Sequence, residues 1–378
     1  MDFPIRTKFA CATLMTGVLM CPTSYALVRW HEGKEQIFVN LGVTAAWDSN
    51  VFTANGGEGD LIYTGSLSLD YQRRAGMIGV NGNIGFNVGR FDEFEDENFQ
   101  NPNYRIELTK DSGRTTGALS ASAQRQSRAD PDANIRTDSW AYNTTLNLKY
   151  PVIERYSVTG GFGYGFRDYD DNTVLVDLST YSFSSDLFYV FTTERDLIAG
   201  YRLRINETSA DTTFYDHAFT VGVSGKILAK LNGTVRLGYQ IREAIGPNTS
   251  GTDSFTASAS TTWAINGQAT LTGQLSKDLS VTSTNISIDS TSASLNAGYR
   301  FGPRMSAYAD FGGGINRFLG ALGGNREDTF LSWGAGFSYK FSEKLNLSAG
   351  YTNYTNWSTA SIADFSREGF SVNVNSRL

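Results

Sequence analysis

The sequence predicts an all-β fold, a transmembrane up-and-down antiparallel β-barrel of about eighteen strands. Three observations carry that prediction. Apolar and polar residues alternate with period two over stretches of 11–15 residues. Such stretches exceed the roughly 5–6 residues usual in soluble sheets and are long enough to cross a bilayer at a tilt. They come in hairpins, with a short turn at one end and a longer polar loop at the other. The composition, with 39 glycines, 7 prolines and 13% aromatics among 378 residues, leaves the chain mildly polar although each strand keeps one greasy face. A barrel reconciles the two, because half of each strand faces water.

Residues 330–351 show the pattern most plainly. Leu331, Trp333, Ala335, Phe337, Tyr339 and Phe341 share one face, and Ser332, Gly334, Gly336, Ser338 and Lys340 the other. After the turn at 342–344 the alternation restarts with Leu345, Leu347, Ala349 and Tyr351 against Asn346, Ser348, Gly350 and Thr352.

In chain order, residues 1–26 read as a cleaved signal peptide. Arg6 and Lys8 form the basic region, residues 9–21 a thirteen-residue apolar run too short to span, and Ser24-Tyr25-Ala26 the cleavage site, after Ala26. Residues 27–35 follow as a short periplasmic segment, and 36–378 form the barrel. Past the N-terminus there is no apolar run of the ~18 residues that a membrane helix needs. Cys11 and Cys21 both lie in the signal peptide, so the mature chain is expected to carry no thiol chemistry. Export plus barrel strands implies a bacterial outer membrane, with its lipid, its lipopolysaccharide and the β-barrel assembly machinery as partners.

Eight tight turns stand at 73–76, 111–114, 151–156, 192–196, 226–230, 264–267, 302–304 and 342–344, rich in Gly, Pro, Asn and Asp. Nine longer loops alternate with them, at 48–60, 92–101, 129–136, 170–176, 206–212, 244–253, 280–286, 319–326 and 358–364. Together they separate eighteen strands. The alternation is weakest over 177–192, and losing one hairpin there would leave sixteen. An even number puts both chain ends on the short-turn, periplasmic side and closes the ring without an edge. The hairpins recur about every 38 residues, a propeller-like period, but the strands are too long for propeller blades.

The same alternation assigns faces. Outward sets include Leu197, Ala199, Tyr201, Leu203 and Ile205, and Leu231, Val235, Leu237, Tyr239 and Ile241. Trp47, Trp140, Trp263, Trp333 and Trp357 suit interfacial girdles. The inward set is small and polar with embedded charge: Arg105, Glu107, Arg167, Arg202, Arg204, Arg236, Arg242, Arg300, Asp310 and Lys340. Charge on the lipid face would cost ~2–4 kcal/mol near the midplane, so its placement on the other face supports the barrel. The chain ends in an alternating segment up to Leu378, similar to the C-terminal signal of outer-membrane barrels, which usually ends in Phe.

Asp48-Ser49-Asn50-Val51-Phe52 closes the first strand, and a second strand ends in Tyr71-Gln72-Arg73-Arg74. This opening resembles the putative β-barrel porin family often associated with bacterial exopolysaccharide export. The specific motif covers about thirty residues, and the resemblance in organisation covers most of the mature chain. It implies an outer-membrane barrel working with periplasmic polysaccharide-export components. Read without the resemblance, Asp48, Ser49 and Asn50 are ordinary turn formers, and two oxygen ligands fall well short of a Ca²⁺ site.

No catalytic constellation, cofactor motif or metal spacing is present, and a net charge of −6 argues against a nucleic-acid partner. His217 has outward parity near the rim, where a hydrolase could place it, but spacing identifies no nucleophile beside it. Two readings therefore stay open. One is a channel, since 16–18 strands leave an aqueous lumen and no loop is long enough to plug it. Its inward arginines would then favour anionic or sugar-like solutes. The other is a non-transporting structural or surface barrel, whose arginines merely brace the wall against inward Asp and Glu.

Overall fold

The computed structural model describes residues 28–30, 34–74, 76–131, 133–170, 175–247, 249–320 and 326–378. The signal peptide, both cysteines and His31 lie outside the described residues. Nineteen strands appear among the described residues. A short β1 (Val28–Trp30) precedes β2 (Glu35–Asp48), β3 (Asp60–Arg73), β4 (Gly79–Phe91), β5 (Phe99–Lys110), β6 (Thr116–Asp130) and β7 (Ile135–Ile153). Then come β8 (Tyr156–Tyr169), β9 (Leu178–Thr192), β10 (Arg195–Thr208), β11 (Thr212–Leu228), β12 (Leu231–Ile245) and β13 (Thr252–Ala264). The chain finishes with β14 (Ala269–Val281), β15 (Ser287–Arg300), β16 (Met305–Leu319), β17 (Glu327–Lys340), β18 (Leu345–Ser358) and β19 (Phe365–Arg377).

Strands β2 to β19 pair antiparallel in sequence order, and β19 returns to β2, so eighteen strands close the ring. All eight turns and nine loops fall at the expected junctions. Closure is what hydrocarbon requires, since each unpaired backbone group there costs several kcal/mol. β1 completes it at the short-turn end. β19 and the terminal Leu378 pair with β2 as far as Val39, and β1 lies along Glu35–Ile37 of β2 just beyond.

The register carries the predicted faces round the ring, because directly paired residues share a side. Tyr201 stands opposite Phe219, which stands opposite Tyr239, all outward. Arg204, Asp216 and Arg242 line up in the same way on the inner face. Outward Leu237, Val221 and Phe219 are 49–67% exposed, ready for lipid.

The extracellular end is not a plain cylinder. At β5–β6 and at β13–β14 the ladder stops after eight pairs, although the strands continue. Beyond each stop a hairpin leaves the wall and folds into the lumen. On β14, Asp278 accepts a hydrogen bond from Arg202 of β10 at 2.8 Å. In the wall these strands would stand roughly 20 Å apart, far beyond an arginine's reach. β14 must therefore pass in front of β11–β13. Leu279, of outward parity, is fully buried as a result.

The β6–β7 hairpin does the same on the other side. Arg136 has outward parity, yet it lies 4.9 Å from the ring centre of Phe91, on the inner face of β4. The two hairpin tips meet: Ser283 Oγ donates to Asp130 Oδ2 at 3.0 Å. β6 and β14 are eight strands apart in an eighteen-stranded ring, nearly opposite one another. Eight tilted pairs climb roughly 20 Å, against an apolar band of about 25 Å. The seams thus open near the outer interface, where water can serve the unpaired edges. Side chains stitch them, with Ser127 Oγ on Asn101 Oδ1 at 3.2 Å and Thr256 Oγ1 on the Lys277 carbonyl at 2.9 Å. The expectation that nothing could fill the lumen is corrected here. Loop length was the wrong measure, because the filling is made of strand ends.

Candidate functional site

Where the tucked hairpin meets the wall lies Asp216, fully buried on β11. Cross-strand register sets Arg204 on one side of it and Arg242 on the other. Arg242 grips its carboxylate through two nitrogens at 2.5 and 2.7 Å, and Arg204 donates to Oδ2 at 2.9 and 3.0 Å. The remaining guanidinium donors reach the tucked hairpin. Arg242 donates to the Ser280 carbonyl at 3.0 Å and to Ser287 Oγ at 2.5 Å. Arg204 donates to the Leu279 carbonyl and to Asp278 Oδ2, the latter at 3.1 Å. Towards the tip, Asn285 is held by Thr208 and Thr212, both at 3.1 Å, and the Ser283 carbonyl accepts from Val176 N at 2.8 Å. A wall-borne ion cluster thus holds the hairpin by its backbone. Buried charges are stable only when paired and hydrogen-bonded in this way.

The opening motif forms the rest of the cap. Asp48 accepts from Arg367 Nε with both oxygens at 3.0 Å. Ser49 Oγ accepts from the Glu368 amide at 2.7 Å. Asn50 Nδ2 donates to the carbonyls of Ala54 and Ser366, folding loop 48–60 onto β19. Val51 is fully buried, and Phe52 meets Phe94 edge-on at 5.1 Å. A Cβ on Gly57 would stand 1.9 Å from Asn50 Oδ1, so a larger residue there would push the Asn50 side chain off its hydrogen bonds. Arg136 donates to the Val51 carbonyl at 3.3 Å, and Asn134 to that of Thr53 at 2.8 Å, joining this loop to the β6–β7 hairpin. The motif therefore acts as the keystone of the cap.

Below the cap the wall has two characters. From β9 to β14 its arginines are braced by carboxylates: Arg236 meets Asp186 at 2.6 and 3.0 Å, and Arg202 meets Asp278, which Arg204 shares. On the other side, Asn40, Asn83, Asn87, Asn103, Asn346 and Asn375 line a cavity of about 940 Å³ near the periplasmic end, together with Lys340. By register the predicted inward residues fall on the strand face opposite the lipid-facing set, and their charges are distributed among partners instead of forming a cationic ring. Arg105 pairs with Glu107 at 3.1 Å, and Arg300 donates to the Gly267 carbonyl at the β13–β14 turn at 2.9 Å. Asp310 lies against Gly334, where a Cβ would stand 2.9 Å from its carboxylate. The arginines of β10–β12 are braced by Asp186, Asp216 and Asp278, which the sequence reading did not single out. One signal could have exposed the tucked hairpin. Lys277 and Asp289 sit at outward parity, where lipid would not tolerate them, and they pair at 2.6 Å against the β13 seam. His217 accepts or shares a hydrogen bond with the Tyr201 hydroxyl at 2.8 Å and stacks on its ring on the outer face.

The family model described as "Putative beta-barrel porin 2" matches residues 215–378, from β11 to the C-terminus. It bears out, from the opposite end of the chain, the family resemblance carried by the opening motif. No curated protein matches. Among solved structures, OccK2 (OpdF) of Pseudomonas aeruginosa, in complex with glucuronate, is 14% identical, with a TM-score of 0.52 over 91% of this chain and 98% of that one. OpdK of the same organism, with vanillate, is 13% identical, with a TM-score of 0.50 over 90% and 98%. At such identities the shared property is the fold of an outer-membrane barrel.

Proposed function

We propose that this chain, whose C-terminal part matches a β-barrel porin family, is an outer-membrane conduit for polar, carbohydrate-type solutes, gated at its extracellular end. One observation carries the reading. A ring of eighteen strands, the size that leaves an aqueous lumen, is narrowed at one end by two hairpins that fold inward and meet at Asp130 and Ser283. Each hairpin keeps its backbone ladder to the neighbour on one side, β7 to β8 and β15 to β16, and is open along the seam on the other, β5–β6 and β13–β14. Moving those hairpins aside breaks ion pairs and hydrogen bonds that water can replace, while the ring stays closed.

The solute class follows from the wall. Paired guanidiniums and carboxylates leave little net field along β9–β14. The asparagine face offers both donors and acceptors, as hydroxyl-rich solutes require. Neutral or weakly charged sugars fit that surface better than the anions an unpaired arginine ring would select. A role in exopolysaccharide export, alongside periplasmic export components, is the finer form of this proposal and rests on the family resemblance. A non-conducting structural barrel is the second reading, and the narrowed mouth is the observation in its favour. Proteoliposomes decide between them: sugar uptake that rises when the cap is loosened supports the conduit, and none under any condition supports the structural barrel.

A further inference from the structure

Directly beneath the tucked hairpin, the inner face of β9–β14 encloses a separate cavity of about 320 Å³. Ligand pockets run upward from roughly 300 Å³, so the space suits one small ring-sized molecule. Two ion pairs frame it, Arg236–Asp186 and Arg202–Asp278, with Ser258 and Ser276 between them. Each charge of the lining already has a partner, Lys277 through Asp289 and Asp278 through Arg204 as well as Arg202, so no unpaired charge is left to select an ion. What it offers is alternation: carboxylates that accept from neighbouring hydroxyls, guanidiniums that donate, and serine hydroxyls that do either.

A second observation points to an absent partner. Arg202 Nε and Gln240 Nε2 are buried and have no hydrogen-bond partner, and Gln240 is fully buried beside Arg202. Buried donors are almost always satisfied. Of the two, Arg202 belongs to the cavity lining, and its guanidinium keeps donor capacity there, while Gln240 lies behind the lining.

We propose that this cavity is a saccharide subsite taking one neutral sugar ring at the constriction. The proposal rests on the conduit reading and deepens it by naming where the solute is read. β14 supplies Ser276 and Asp278 from the strand that bears the hairpin, so an occupied site bridges the fixed wall and the movable cap.

Calorimetric titration of the folded protein in detergent with glucose, galactose and mannose, and with glucuronate for comparison, tests it. Expected is saturable binding of at least one hexose, with glucuronate no tighter. Ser258→Leu fills the cavity and leaves both ion pairs in place, so it should weaken that binding by about tenfold or more. Ser276→Val is the alternative should Ser258→Leu fail to fold. No saturable heat with any of the three hexoses overturns the site, as does binding that neither variant disturbs. Sugar uptake into proteoliposomes separates the two proposals. Uptake without binding removes the subsite and leaves the conduit standing, and binding without uptake does the reverse.

Discussion

Asp216→Ala is the substitution that the cap should tolerate least. It removes the acceptor shared by Arg204 and Arg242 and leaves Arg242, 1% exposed, as an uncompensated charge. Breaking a buried pair from one side costs about 3–5 kcal/mol. The structure offers a cheaper response than unfolding the barrel. The hairpin at 280–286 can withdraw and let the guanidiniums hydrate, since it is held here through the Leu279 and Ser280 carbonyls. At about 1.4 kcal/mol per factor of ten, the closed-to-open ratio should fall by roughly two to three and a half powers of ten. In planar bilayers this appears as frequent or sustained opening where the unsubstituted protein is mostly shut. Heat-modifiable migration on a gel should be retained, because the ring ladder is untouched. Asp216→Leu with Arg242→Met should lie much closer to the parent, since replacing a buried pair by apolar groups is often neutral. If Asp216→Ala folds normally and conducts like the parent, the ion cluster does not hold the cap.

Leu237→Arg should impair assembly by the ~2–4 kcal/mol of a midplane charge on the lipid face, whereas Asn232→Arg on the lumen face should assemble normally. Equal yields of heat-modifiable protein would mean that the faces are assigned to the wrong sides. Asn87→Asp combined with Asn103→Asp places unpaired carboxylates on the asparagine wall and should move the reversal potential of the open channel towards cations. An unmoved potential would show that solutes do not pass along this side.

The strands, their faces and the ring were readable in the sequence because one signal, period-two alternation, determines all three. Once the faces are known, cross-strand register puts Arg204, Asp216 and Arg242 side by side. What alternation cannot convey is where a hairpin leaves the wall, because its sequence period is the same inside the lumen as in the bilayer. Leu279 looks like any lipid-facing leucine, and only its neighbours Lys277 and Asp289, charged at outward parity, betray that the strand has left the hydrocarbon. Arg136 is the matching sign on β7. Alternation sets the parity of the inward arginines but not their partners, because Asp278 reaches Arg202 from four strands away, a distance that only the inward fold bridges. For the same reason the opening motif reads as a plain turn in sequence and as the keystone of the cap in three dimensions.

The gate itself is tested most directly at the contact between the two hairpin tips, Asp130 and Ser283. With Cys11 and Cys21 replaced by serine, Asp130→Cys with Ser283→Cys introduces a single cross-linkable pair. In planar bilayers under reducing conditions the double variant should open in steps, more often than the parent because the tip contact is lost. Oxidation should abolish those steps and reduction should restore them. Steps that persist unchanged through verified cross-linking, or their absence in both states and in Asp216→Ala as well, would contradict a conduit gated by these hairpins.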